Sequence, residues 1–144
     1  MVDVSAKQVS HRTATARSIV CLPDGVIAHL LDGGLQTKKG PVFQTAIIAG
    51  IMAAKKTSDL IPLCHPLGLD NCNITIGFNE TNEVVIDCIV GITAKTGVEM
   101  EALVGASIAA LTVYDMCKAM SHDIVIKETK LISKTGGKHD FKRA

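Results

Sequence analysis

Apolar side chains recur along this chain with two different periods, and the switches between them mark out its elements. Residues 70–78 alternate, with Cys72, Ile74, Ile76 and Phe78 on one face, and residues 84–92 do the same with Val84, Ile86, Cys88, Val90 and Ile92. Two such runs joined by the polar turn NETNE predict an antiparallel hairpin. Phe43, Ile47, Ile51 and Ala54 recur instead at helical spacing, predicting an amphipathic helix over 42–56 whose lysines suit its C-terminus. Ala102, Ala106, Ala109, Val113 and Cys117 predict a longer helix over 98–120, and Thr96 with Glu99 three residues later matches a capping box. Residues 16–22, ARSIVCL, read as a short strand, and Pro23 opens a helix through PDGVIAHLLDGG that Gly33 and Gly34 close. A last strand is predicted over about 123–133. Between the second helix and the hairpin, in DLIPLCHPL, Pro62 and Pro66 bracket Cys64 and His65 and keep the intervening backbone out of helical geometry. His65 is therefore expected on a stiff loop.

Taken in order, these elements read βαββαβ with an extra helix. That is the pattern of an α+β, ferredoxin-like sandwich, with helices on one face of an antiparallel sheet. The other face carries Val85 and Ile89 and needs cover, which predicts an oligomer. At 144 residues, with no repeat and no Pro/Gly-rich linker, the chain fits one domain, 1–144, with a flexible basic C-terminal segment from about 134. From Lys127 onwards six basic residues stand against two acidic ones, although the net charge of the whole chain is only +1.

Apolar residues make up 47% of the sequence but aromatics only 3%, with no Trp, so the core must be built from closely packed Ile, Val, Leu, Ala and Met. The same scarcity of aromatics, with the small net charge, argues against the RNA-binding use of a ferredoxin-like domain and against nucleic-acid partners generally. Five cysteines with no CxxC pair indicate neither a disulfide framework nor a zinc knuckle, so reduced thiols, no metal and no cofactor are expected. The N-terminus has no apolar signal core, and no uninterrupted stretch reaches the roughly 18 apolar residues of a membrane span. A soluble, cytoplasmic protein without a membrane partner is the expectation.

Several side chains are candidates for chemistry. Asp115 and Lys118 share a face of the long helix at i, i+3. Such pairs are usually surface ion pairs, but the surrounding AALTVYDMCKAM is apolar, and a shielded carboxylate and lysine can exchange protons. Glu99 is expected to serve the capping box, whereas Glu101 points elsewhere and is free to accept hydrogen bonds from a ligand. His65 is open to three readings: a satisfied loop histidine, an acid/base group or, without a second ligand pair near Cys64, the weaker case of a metal ligand. Basic residues suited to phosphate are Lys38 and Lys39 before Gly40, Lys134 and Lys138 around Gly136 and Gly137, and Arg12. The segment SKTGGKH lacks P-loop spacing, but its lysines and flexible backbone can wrap an anion; the alternative is a solvated loop. Glu101 and Asp115 are fourteen residues apart, about 21 Å along a straight helix. One compact site cannot hold both from one helix, so either one is structural or each site combines Glu101 of one subunit with Asp115 of another.

Together and in this order, MVDVSAK, KKGPVFQTAIIAGIMAAKKTSDLIPLCHPL, AKTGVEMEALVGAS, ALTVYDMCKAM and KLISKTGGKHDFK resemble the cyclic pyranopterin monophosphate synthases, the molybdenum cofactor biosynthesis protein C family. The resemblance implies a ferredoxin-like subunit in a homohexamer, a trimer of dimers, with active sites between subunits. It implies a lyase that converts 3′,8-cyclo-7,8-dihydroguanosine 5′-triphosphate, a cyclised GTP-derived small molecule, into cyclic pyranopterin monophosphate with release of pyrophosphate. Matched motif to motif, it implies Asp115 as the catalytic aspartate with Lys118 as its acid/base partner. Substrate contacts are implied for Leu63, Cys64 and His65, for Met100 and Glu101, for Lys39 and Lys134, and for Glu99, Asp3 and Arg12 lining the site. Lys138 joins the phosphate-binding lysines by its place in SKTGGKH. A leading segment found in relatives is expected to be short or absent, since the chain opens almost directly on MVDVS. A non-catalytic, oligomeric small-molecule-binding regulatory domain is the rival class.

Overall fold

The hairpin predicted from the two alternating runs is the most regular part of the computed structural model, which describes residues 1–144. β4 (Asn71–Phe78) and β5 (Val84–Ala94) pair antiparallel, with Ile74 opposite Cys88 and Ile76 opposite Ile86. Asn79 organises the turn between them: its Oδ1 accepts from the backbone N–H of Thr81 and of Glu83, and Asn82 takes the left-handed conformation at φ 59°. β5 then pairs with β1 (Ser10–Cys21), and β1 with β6 (Val125–Thr135), both antiparallel. The sheet order is β4-β5-β1-β6, extended by a short β7 (Phe141–Lys142) on the edge of β6. With its connections on one face, that order is the ferredoxin-like βαββαβ arrangement, so the fold is α+β with an antiparallel sheet.

Helices α1 (Asp24–Asp32), α2 (Val42–Ala54), the single-turn α3 (Thr57–Leu60) and the long α4 (Glu99–Cys117) complete the chain, with a two-residue hairpin of β2 (Gln36–Thr37) and β3 (Gly40–Pro41) before α2. α4 lies across β1, β5 and β6, and α2 packs beside it over β4. Ala14, Ala16, Val20, Ile86, Cys88 and Val90 of the sheet meet Ala102, Ala106, Ala109, Ala110 and Val113 of α4 in one core. The small side chains let the helices approach closely, and the approach is tightest at Gly50 and Gly105: a Cβ on Gly50 would lie 2.7 Å from the Gly105 carbonyl oxygen. By length and composition α4 would pass as a membrane-crossing helix, but ten of its residues are buried within the fold, seven of them in this core.

Two expectations change. β1 starts at Ser10, six residues before the apolar run, because Ser10, His11, Arg12 and Thr13 continue the ladder to β5 with polar side chains. The capping box is absent. The N-cap is Val98 and makes no side-chain bond, so Glu99 is the first helical residue rather than the third and its carboxylate is released to pair elsewhere. The C-terminal residues past Lys134 fold back as β7, and Gly136, at φ +88°, turns the chain where a Cβ would collide with the His11 carbonyl oxygen. The helix-free face of the sheet holds the bidentate pair of Arg17 with Asp87, at 2.7 and 2.8 Å, flanked by Val85 and the exposed Ile89.

Candidate active site

The two ends of α4 carry two separate groups of functional side chains. At the start, the first turn presents Glu99, Met100 and Glu101 toward the loop after α3, which brings Leu63, Cys64 and His65. These six residues line one cavity of about 360 Å³, closed on its remaining side by Val2, Val4 and Lys7 of the N-terminal segment. His65 Nε2–H donates to the Val2 carbonyl at 2.7 Å, which fixes both the ring and the segment.

Glu101 is the unusual member. It is only 4% exposed, and its Oε2 has no hydrogen-bond partner. Burial pushes its acid pKa up to about 7, and the nearby charge of Glu99 adds to the effect. The Cys64 thiol is also held up, by burial first and then by the Glu101 charge. An orphaned carboxyl that titrates near neutrality, facing a cavity, is suited to meeting ring N–H groups or to carrying a proton.

A second cavity of about 620 Å³ adjoins the first, sharing Lys7, Thr96, Gly97 and Glu99, and is walled by Arg12, Lys134 and Lys138 around the Gly136–Gly137 turn. Lys134 Nζ meets Glu99 Oε1 at 3.0 Å. Arg12 is braced by donating to the carbonyls of Ala94 and Lys95, at 3.3 and 3.2 Å. Three cations around a glycine turn form a setting for phosphate oxygens. Asp3 lines neither cavity; its Oδ1 accepts from the Ser5 N–H at 2.8 Å in a local turn.

At the other end of α4, Asp115 lies between two lysines. Its Oδ1 is 3.2 Å from Lys118 Nζ and its Oδ2 is 2.9 Å from Lys39 Nζ. Lys39 comes from the β2–β3 hairpin and also donates to the Asp115 backbone carbonyl at 3.2 Å, so it caps the end of the helix as well. Lys39, above all, and Lys118 hold the Asp115 carboxyl below its ordinary range. The expected shielding of this pair is not met within one chain: the side chains of Lys39, Asp115 and Lys118 are 48%, 50% and 58% exposed, because their apolar neighbours turn inward to the core.

The structure thus gathers Leu63, Cys64, His65, Glu99, Met100, Glu101, Arg12, Lys134 and Lys138 at one end and Lys39, Asp115 and Lys118 at the other. Lys39 and Lys134, both expected at phosphate, are not neighbours. Periodicity gave no sign of Val2, Val4, Lys7, Thr96 or Gly97 as lining residues, although the first three sit in the MVDVSAK segment.

Comparison with known proteins bears on this arrangement. The chain is 55% identical to the cyclic pyranopterin monophosphate synthase of Xanthomonas campestris pv. campestris (strain B100), over 98% of its own length and 86% of that protein. It is 53% identical to molybdenum cofactor biosynthesis protein 1 of Dictyostelium discoideum, over 96% of its length but only 24% of that much longer protein. A molybdenum cofactor biosynthesis bifunctional protein of Synechocystis is 54% identical over 97% of this chain and 42% of its own. The MoaC family profile matches residues 1–137, covering the first cavity, the second except Lys138, and the lysine-flanked aspartate, and the chain belongs to the MoaC family.

Proposed function

We propose that the chain, as a lyase of molybdenum cofactor biosynthesis, converts 3′,8-cyclo-7,8-dihydroguanosine 5′-triphosphate to cyclic pyranopterin monophosphate at a site assembled from both groups of side chains. The observation that carries this reading is Asp115, ionised and held between Lys39 and Lys118. The reaction rearranges a guanine-derived ring, which moves protons repeatedly, and closes a cyclic phosphate as a sugar hydroxyl attacks the α-phosphorus and pyrophosphate leaves. Asp115 and Lys118 exchange protons with the ring, and Lys39 sets the charge of Asp115. Lys134, Lys138 and Arg12 neutralise the triphosphate and the leaving pyrophosphate. Glu101 and His65, with Leu63, Cys64 and Met100, hold the ring in the smaller cavity.

The distance between the two groups supports a site shared between subunits. From Glu101 to Asp115 α4 rises about 21 Å, so the Asp115 group of one copy would complete the cavities of another. Apolar side chains left exposed on α2, Ile48 and Met52, and on the open sheet face support an assembly, for which we take the homohexamer, a trimer of dimers. We place this single domain, residues 1–144, in the cytoplasm.

The test is turnover of the cyclised nucleotide, followed by pyrophosphate and by the fluorescent oxidised pterin. Asp115→Asn and Lys118→Ala are each expected to lower kcat by about 10²–10⁴-fold. Near wild-type rates in both would refute the assigned roles, and nucleotide binding without turnover by the unmodified protein would favour a regulatory module instead.

A further inference from the structure

Cys72 and Cys88 take no part in the reaction above. Both project from the β4–β5 hairpin onto the helix-covered face of the sheet, Cys88 fully buried and Cys72 half-buried on the edge strand. Cys72 stands opposite Val90, and Cys88 opposite Ile74, so the two are diagonal neighbours on one face. Their sulfurs are 3.9 Å apart and hydrogen-bonded. A disulfide needs about 2.05 Å, and diagonal neighbours stand farther apart than directly opposed residues, so closing the bond requires the edge strand β4 to move toward Cys88. A cavity of about 410 Å³ reaches Cys72 from outside, between Ile51 of α2 with Lys55 just past its end and residues 67–71. The Cys88 sulfur sits under Gly105, where a Cβ would come within 2.6 Å of it, and so is screened by α4.

We propose that Cys72 and Cys88 form a peroxide-responsive dithiol, in which a hydroperoxide oxidises Cys72 and Cys88 then closes a reversible cross-strand disulfide. The Cys72 thiolate attacks one oxygen of hydrogen peroxide; the O–O bond breaks, an S–O bond forms to give the sulfenic acid, and the departing hydroxide takes up the proton released from the Cys72 thiol and leaves as water. The Cys88 sulfur attacks the Cys72 sulfur, the S–O bond breaks, the S–S bond forms, and a second water carries away the Cys88 proton. Each sulfur gives up one electron and the peroxide accepts two. The order of events follows from access, since Cys72 is reached from outside and Cys88 is screened by α4; the hydrogen bond they share lowers the Cys72 thiol below its ordinary range and, with burial, pushes Cys88 up. Burial holds Cys21, Cys64 and Cys117 above that range. A diagonal link draws the strands from their rest positions, and strained disulfides are the more readily reduced. Because β4 follows directly on the loop bearing Leu63, Cys64 and His65, the link also fixes that loop's far end.

The experiment titrates the purified full-length protein with hydrogen peroxide, alkylates the remaining thiols and maps peptides without reduction. Two alkylatable thiols should disappear together, with a linked Cys72–Cys88 peptide that a thiol reductant returns to the free form. In Cys72→Ser, Cys88 should stay reduced at the same peroxide dose, and in Cys88→Ala a sulfenic-acid reagent should label Cys72 with no linked peptide. Oxidation of Cys21 or Cys64 ahead of Cys72, advance of Cys72 to the sulfinic acid with Cys88 still free, or five thiols that all remain alkylatable would each overturn the proposal.

Discussion

Glu101 and Asp115 are carboxylic acids on the same helix, yet their surroundings push their pKa values in opposite directions. Two lysines keep Asp115 charged, and its charge should govern the acid limb of the pH–rate profile. Lys39→Ala removes the largest cause of its lowered pKa, so that limb should shift to higher pH in kcat measured against pH, while Arg12→Ala should leave the limb in place and raise KM. Glu101 runs the other way. Its ordinary value of 4.5 rises to about 7 in the folded chain, so the folded state holds the proton that the unfolded state gives up in between. Its contribution to stability is therefore whole below about pH 4.5 and is lost as pH rises through 7, an effect of roughly 3–4 kcal/mol at most. Urea midpoints of the wild type should fall across that window, whereas those of Glu101→Gln should stay flat and exceed the wild type above pH 7, even as turnover drops. The sequence exposed both carboxylates as candidates. It could not show their states, because Glu101's burial depends on residues 63–65 and the N-terminal segment closing over it, contacts between parts of the chain far apart in sequence.

At the level of elements, periodicity located what alternating or helical apolar residues build: the β4–β5 hairpin, α2, α4 and the sheet order that follows from them. It failed where backbone pairing proceeds under polar side chains, as at Ser10–Thr13 of β1, and where a local motif competed with tertiary geometry, as at Thr96 and Glu99. The β2–β3 hairpin, two residues to a strand, is too short for any pattern, and so the meeting of Lys39 with Asp115 was hidden. The small-residue core was legible in the composition, but its tightest point was not. Alanine at Gly50 would place a Cβ 2.5 Å from Ile74 Cδ1, against packed side chain and backbone, and should cost about 1–3 kcal/mol. At Gly25, exposed in the first turn of α1 with nothing within 4 Å of the added carbon, alanine should instead stabilise by roughly 0.5–1 kcal/mol. Denaturant unfolding of the two variants measures both signs.

For the whole molecule, a site shared between subunits has a consequence that single variants cannot imitate. Asp115→Asn and Glu101→Ala subunits, each inactive alone, should regain part of the wild-type rate when mixed and allowed to exchange, since a mixed interface restores one intact site. No recovery after exchange verified by mass would refute sharing, as would a monomeric peak of full activity in sizing chromatography. The resemblance of the whole chain to its family suggested the proposed assembly; the structure adds the separation of the two groups along one helix. That helix, α4, sets both the spacing and the phase of the two groups. One residue inserted near Ala109 would lengthen the helix by only about 1.5 Å but swing Asp115 by about 100° around its axis. Every side chain of the proposed site would survive, but Asp115 and Lys118 would turn together away from Lys39, so the proposed chemistry rests on the count of residues between Glu101 and Asp115 as much as on any carboxylate.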